Sequence, residues 1–292
     1  MQPLDYHEGG GAAGAPGGHA PRAAARADRR GAALIPIYDN VHGRRFPFVN
    51  LSIIAANFIV FFYELSLQGQ TVAPGVTRLD EFITKWGNIP ACTFHSLGWQ
   101  DLSFRTSLYC SQQPHSVATV ITAMFIHGGW LHILGNMLFL WIFGDNVEDA
   151  MGHARYLVFY FLMGIIAAFT YAGVNADGLT PAIGASGAIA GVMGAYLVLY
   201  PRATVAVLIV FIPLPVPAFI LIGVWFIVQV FSGFSTFNTN AVGAGGGIAY
   251  FAHIGGFIAG ALLVKLFTIG QPKRRVGRLR RFDAKGWFDD LF

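Results

Sequence analysis

The chain has 292 residues, of which 54% are hydrophobic and only 12% charged. Soluble domains carry about 25% charged residues, so this balance excludes an ordinary water-soluble fold and points to a membrane protein. The net charge of +4 is concentrated at the two ends, and the ends carry no motif that supports nucleic-acid binding.

Residues 1–46 are rich in Gly, Ala, Pro and Arg and show no apolar period, which predicts a disordered basic cytoplasmic tail. No apolar stretch precedes a small-residue cleavage site there, so a signal peptide is not expected. Six apolar runs follow, near 48–67, 129–144, 155–174, 185–200, 203–231 and 248–269. Crossing the hydrocarbon takes roughly 20 residues of helix, so the second and fourth are short. Pro213, Pro215 and Pro217 interrupt the fifth and predict a kinked or irregular span. Residues 271–292 form a second basic tail, which leaves 47–270 as the membrane domain. With both basic ends cytoplasmic, the number of crossings is even, and Arg155 and Arg202 fall in short cytoplasmic turns. The expected architecture is an all-α polytopic bundle of six transmembrane helices.

The connection 68–116 then lies outside, and 117–128 reads as an interfacial segment leading into the second span. Cys92 and Cys110 both fall in this outer connection. An oxidising compartment would allow them to pair, and spacing alone leaves the pairing open. Gly187-xxx-Gly191 and Gly256-xxx-Gly260 are spacings that let helix backbones approach closely. The glycine-rich stretch 232–247 predicts a mobile cap over Ser186 that moves with the fifth span to admit water and substrate.

Three spans enter from the outside and carry polar residues at matching depth. Ser186 lies about 23 Å along its helix from Pro201, and His132 lies about 20 Å from Asp145. His253 sits a few residues into the sixth span. Ionisable groups inside a bilayer are expensive and usually have a function. Ser186 is a weak nucleophile unless a base takes its proton, and His253 can do so near neutral pH. His132 and Asn136 are one turn apart on one helix face and can donate to a developing oxyanion, as can the Ser186 backbone N–H. Singly, each residue has a structural explanation in packing, capping or helix–helix hydrogen bonding. Their common depth favours one site.

Other chemistries fail on pattern. Gly184-Ala185-Ser186-Gly187 is not the G-x-S-x-G elbow of an α/β-hydrolase. No H-E-x-x-H occurs, and His127 with His132 are five apart, so no metal or other cofactor is expected. A small transporter would show inverted repeats and polar groups at the midplane.

At these residues the sequence strongly resembles the rhomboid intramembrane serine proteases of bacterial type. The resemblance spans about residues 48–269. It rests on His127-xxxx-His132-xxx-Asn136, Gly184-Ala185-Ser186-Gly187 and Ala252-His253-xx-Gly256-xxx-Gly260, in the family's order. Phe143-Gly144-Asp145-Asn146-Val147-Glu148-Asp149, after the second span, adds to it.

The resemblance implies a dyad of Ser186 and His253 with no third acidic member. It implies an oxyanion site from His132, Asn136 and the Ser186 amide, with Gly184, Gly187, His127, Gly256 and Gly260 in support. It further implies transmembrane protein substrates and a multi-pass location in the cell's inner (plasma) membrane, the site opening to the extracytoplasmic side. Two positions depart from the family pattern. Ala190 replaces an aromatic that stacks on the histidine, so another group must hold His253. Val117-Ala118-Thr119 stands where many relatives have Trp-Arg. Catalytically inactive rhomboid-like proteins that route membrane clients generally lack the serine or histidine, whereas both are present here.

Overall fold

The computed structural model describes residues 39–41, 45–99, 103–111, 117–209, 212–238 and 249–271. Each of the six apolar runs holds a helix: α1 (Phe48–Leu67), α6 (Trp130–Met151), α7 (His153–Val174), α8 (Ser186–Leu199), α9 (Ala218–Asn238) and α10 (Tyr250–Phe267). Four of them, α1, α7, α9 and α10, are long and apolar enough to cross a membrane. A fifth candidate is α6, joined at a 95° bend to the segment Thr119–Phe125. The 14-residue α8 is shorter, reaching only about 21 Å. Its Gly187–Tyr196 stretch is buried throughout. A helix apolar on all faces belongs at the centre of a bundle, and α8 packs between α6, α7 and α10.

Four further helices occupy the connection before α6: α2 (Arg78–Trp86), α3 (Pro90–Ser96), α4 (Phe104–Ser111) and α5 (Thr119–Thr122), the last continuing into a 3₁₀ turn at Ala123–Phe125. A short hairpin of β1 (Thr71–Ala73) and β2 (Val76–Thr77) precedes them. The Thr77 hydroxyl accepts from Asp80 N while the Asp80 carboxylate accepts from Thr77 N, a reciprocal cap at the start of α2. Cys92 and Cys110 form a disulfide joining α3 to α4.

The structure differs from the sequence reading in three places. The second helix runs on to Met151, so it is not short. The Phe143–Asp149 motif therefore lies inside α6 rather than after it. Gly152, at φ +84°, ends the helix.

The fifth run does not begin as a kinked helix. Residues 204–217 form an antiparallel hairpin, β3 (Thr204–Ile209) and β4 (Ile212–Pro217), and α9 starts only at Ala218. The prolines explain it. They face Leu208, Ala206 and Thr204 across the pair, all at positions of one parity. In an antiparallel pair only every second residue donates toward its partner. Prolines confined to the other parity leave the ladder intact, whereas in a helix each would remove a hydrogen bond.

The expected tail boundary at residue 46 also lies too late. Asp39 bridges Val205 of β3, Asn40 N donates to Thr204 O at 3.2 Å, and Arg45 N donates to the Asp149 carboxylate at 3.1 Å. Residues 1–38 and 272–292, with most of both expected tails, lie outside the described residues, as does 239–247 of the expected cap. Ser232–Asn238 continue α9.

A polar clamp joins the Met151 end of α6 to the start of α1. Pro47 supplies no side-chain cap to α1. The buried Glu148 carboxylate accepts instead from Val49 N at 3.0 Å and Asn50 N at 2.7 Å. Two orphan donors of the first turn are thereby satisfied, and the anion lies where the helix dipole favours it. Asn50 in turn donates to Leu140 O and accepts from Tyr156 Oη at 2.7 Å. A Cβ at Gly144 would collide with the Asn50 amide, which accounts for that glycine.

Candidate active site

Ser186 is the first residue of α8, preceded by Gly184 at φ +117°. That backbone conformation suits glycine. A side chain there would also bring its Cβ within 2.7 Å of His132 Nε2. Gly184 N donates to Ala123 O at 2.8 Å, pinning the turn to the segment before α6. The Ser186 N–H lies in the first helical turn, where backbone donors have no partner within the helix.

The register between α8 and α10 comes from glycine. A Cβ at Gly256 would strike Gly187 O, one at Gly260 would strike Gly191 O, and one at Gly194 would strike Phe257 O. On the α7 side, a Cβ at Gly187 would come within 2.6 Å of the Ala167 methyl. Small residues at these spacings let two backbones touch. Sliding either helix by a residue would drive side chains into carbonyls. In this register Ser186 Oγ and His253 Nε2 are 2.7 Å apart.

His253 is 7% exposed, and two groups of α9 hold it. Gln229 Oε1 lies 2.7 Å from His253 Nδ1, and the Trp225 ring packs 5.8 Å from the imidazole, centroid to centroid. Ala190 is buried, and the aromatic contact with His253 comes instead from Trp225. Gln229 was not singled out from the sequence. The signal available was an uncharged polar residue deep in an apolar run, one helical turn after a tryptophan, and in membranes such a residue is most simply read as interhelical glue.

His132 and Asn136 project from α6 toward the same space. Gly128 N donates to His132 Nδ1 at 3.2 Å, which leaves the proton on Nε2, the nitrogen beside Gly184. Asn136 Nδ2 lies 2.9 Å from His127 Nε2, and His127 Nδ1 lies 3.2 Å from Phe125 O. The consistent assignment has Nδ1–H donating to the carbonyl and Nε2 accepting from the amide. His127 therefore orients Asn136 and leaves the second amide hydrogen free to donate elsewhere. The backbone N of His127 is held by the buried Glu64 carboxylate of α1, 3.2 Å from each oxygen. Glu64 too went unnoticed in the sequence.

Ser186, His253, His132, Asn136 and Trp225 line one cavity of about 730 Å³. Of the residues selected from the sequence, Ser186, His253, His132 and Asn136 share that cavity. His127 stands behind Asn136, Gly184 shapes the turn, and Gly187, Gly256 and Gly260 form the seam. Among the described residues, no group of three or more His, Cys, Asp or Glu could hold a metal ion.

The strand leading to Ser186 is tied to the disulfide-bearing connection. Asn88 and Ala182 exchange backbone hydrogen bonds at 3.0 and 2.8 Å, and Ala91 N donates to Gly178 O at 3.2 Å. Thr180 to Ile183 line the same cavity, so α3 and the Ser186 turn are one local assembly.

Comparison with known proteins adds a family. Residues 114–269 match the family model of the rhomboid domain, which is more than half of the chain. Rhomboid protein 1, mitochondrial, of Saccharomyces cerevisiae is 30% identical over 180 residues, covering 59% of this chain and 48% of that protein. The putative rhomboid protease YdcA of Bacillus subtilis is 38% identical over 79 residues, covering 27% of this chain and 39% of its own. The human presenilin-associated rhomboid-like protein, mitochondrial, is 32% identical over 111 residues, 36% of this chain and 29% of that one. The chain thus spans about half or less of the length of these relatives.

Proposed function

Because the chain belongs to the rhomboid family, we propose that it is an intramembrane serine endopeptidase that cuts transmembrane proteins with a Ser186–His253 dyad. The observation that carries this reading is the 2.7 Å contact between Ser186 Oγ and His253 Nε2, inside a cavity also lined by His132 and Asn136.

His253 Nε2 takes the Ser186 hydroxyl proton as Oγ attacks the scissile carbonyl carbon. The carbonyl oxygen becomes an oxyanion, with the Ser186 N–H, the free Asn136 amide hydrogen and His132 Nε2–H as its donors. The protonated His253 then gives its proton to the leaving amine, and the C–N bond breaks to leave an acyl ester on Ser186. Water, deprotonated by His253, hydrolyses that ester and restores the serine. No cofactor takes part.

A transmembrane substrate must unwind locally to present an extended peptide bond, since a helical one is shielded by its own hydrogen bonds. Lipid and transmembrane protein substrates are the partners, and nucleic acid is not among them. The protein is a multi-pass membrane protein, and we place it in the cell's inner membrane with both ends of the chain cytoplasmic and six crossings. The site is then extracytoplasmic. The disulfide supports that orientation, because disulfides persist in oxidising compartments and α3 is bound to the turn that presents Ser186.

The competing reading is an inactive rhomboid-like protein that binds and routes clients. Cleavage of a reporter transmembrane substrate by wild type, Ser186→Ala and His253→Ala decides between them. A protease loses nearly all turnover in both variants. Equal cutting by all three proteins, or none by wild type with a range of reporters, rejects the proposal. Fluorophosphonate labelling of Ser186 is a second readout that needs no knowledge of the natural substrate.

A further inference from the structure

We infer that Gln229 is a positioning residue for the hydrolysis, the neutral third member of a Ser186–His253–Gln229 relay. The inference rests on the proposed function and adds a residue outside the dyad.

For His253 to act as base, Nε2 must carry its lone pair toward Ser186, so the single proton of the neutral ring must be on Nδ1. Nothing in an imidazole by itself selects that tautomer. The partner at the other nitrogen selects it. Gln229 Oε1, 2.7 Å from Nδ1, is a carbonyl acceptor that binds the Nδ1–H form. With the amide turned over, its N–H would instead favour a proton on Nε2, the nitrogen that must accept. Gln229 also limits rotation of the ring about Cβ–Cγ. Trp225, four residues earlier and hence on the same face of α9, lies against the imidazole.

The chemistry of the residue suits its surroundings. Gln229 is 8% exposed, and His253 is buried too. A carboxylate in that position would set a second buried ionisable group directly against His253, at a cost in desolvation. A neutral amide supplies the acceptor without the charge. The arrangement also makes α9 part of the catalytic geometry. A displacement of α9 away from α10 lengthens the Nδ1 contact, so helix position and histidine readiness are coupled.

The test uses the full-length protein in detergent or bilayers, with wild type, Gln229→Leu and Gln229→Glu, and with Ser186→Ala and His253→Ala as references. Gln229→Leu keeps the bulk and removes the acceptor. It should lower both kcat on a reporter substrate and the rate of fluorophosphonate labelling by at least about 10-fold, a part of the roughly 100- to 10,000-fold that a general base contributes, with KM little changed. Gln229→Glu restores an acceptor and should recover most of that loss. The acid limb of its pH–rate profile should also move to higher pH, because a carboxylate beside the ring favours the imidazolium.

Wild-type labelling and kcat in Gln229→Leu would overturn the inference. So would equal impairment of the Leu and Glu variants with no movement of the acid limb, since that describes a packing role. Should Gln229→Leu fail to fold by thermal melting, Gln229→Glu decides alone: a displaced acid limb supports the relay and an unmoved one rejects it. Turnover surviving in Ser186→Ala or His253→Ala would instead reject the dyad itself, so the two failures are separable.

Discussion

The two ends of α6 and α8 are built on opposite principles. At the Ser186 end, position is set by what is missing: Gly187, Gly191, Gly256 and Gly260 carry no side chains, so backbones touch and the register of α8 against α10 has no slack. At the Met151 end, position is set by what is satisfied: Glu148, Asn50 and Tyr156 exchange directional hydrogen bonds among α1, α6 and α7. Steric register places atoms accurately without adding polar groups beside the proposed dyad. Hydrogen-bond satisfaction ties helices together where no chemistry is needed. The lesson is that precision and cohesion are separable in one bundle, and substitutions at the two ends should fail differently.

The largest effect is expected from Gly260→Leu. A side chain there meets the Gly191 backbone, which cannot move aside, so α10 shifts and carries His253 with it. A displacement of about 1 Å is enough to cost on the order of 100-fold in turnover, and overpacking adds about 1–3 kcal/mol of destabilisation. Labelling rate and thermal melting, measured on one preparation, check both. A variant that labels at the wild-type rate would break the contrast.

Gly184→Ala ranks next. The residue would be forced into a left-handed backbone conformation costing about 1–3 kcal/mol, and its methyl would crowd His132 Nε2. Turnover should fall more than reporter binding, because the crowded group is the proposed oxyanion donor. A change confined to KM would show that His132 acts in binding alone.

Glu148→Ala should reverse the pattern. Two buried N–H groups of α1 lose their acceptor, at about 1–3 kcal/mol for each group left unsatisfied. The melting temperature falls while labelling of the folded fraction stays near wild type. Tyr156→Phe removes one hydrogen bond to Asn50 and should cost about 1 kcal/mol, again with labelling preserved. Loss of labelling in a folded Tyr156→Phe protein would mean that the two ends are not independent.

The smallest effect lies outside the bundle. The capping hydrogen bonds from the Thr77 hydroxyl and amide hold the Asp80 carboxyl below the usual carboxylate range. A lowered folded-state pKa contributes stability that is present above the unfolded value and is lost as pH falls through the folded one. Amide exchange in α2 should therefore quicken on acidification below the ordinary carboxylate range, and Thr77→Ala, which removes the hydroxyl and keeps the amide, should weaken that pH dependence. Labelling at neutral pH should not change in Thr77→Ala.

Much of this was legible in the chain itself. The apolar runs located the six apolar helices because a bilayer leaves backbone groups no partner but the helix itself, so hydropathy marks them. Ser186, His253, His132 and Asn136 stood out because polar groups are conspicuous in apolar sequence. The glycine spacings announced close packing. The prolines of 213–217 were visible, yet their common parity, which permits a strand as readily as it forbids a helix, acquires meaning only beside β3.

Gln229, Trp225 and Glu64 stood in the same sequence without a motif, and Glu148 stood in one without a role. Each acts on a residue 24 to about 100 positions away, and no local period or motif encodes such a pairing. The sequence by itself determined which segments are apolar helices and which residue types could do chemistry, because both follow from properties of single residues and short windows. Only the tertiary structure decided which nitrogen of His253 faces Ser186 and what grips the other one, because those depend on how α9 lies against α10. That placement results from packing of whole helix faces rather than from any one stretch of chain.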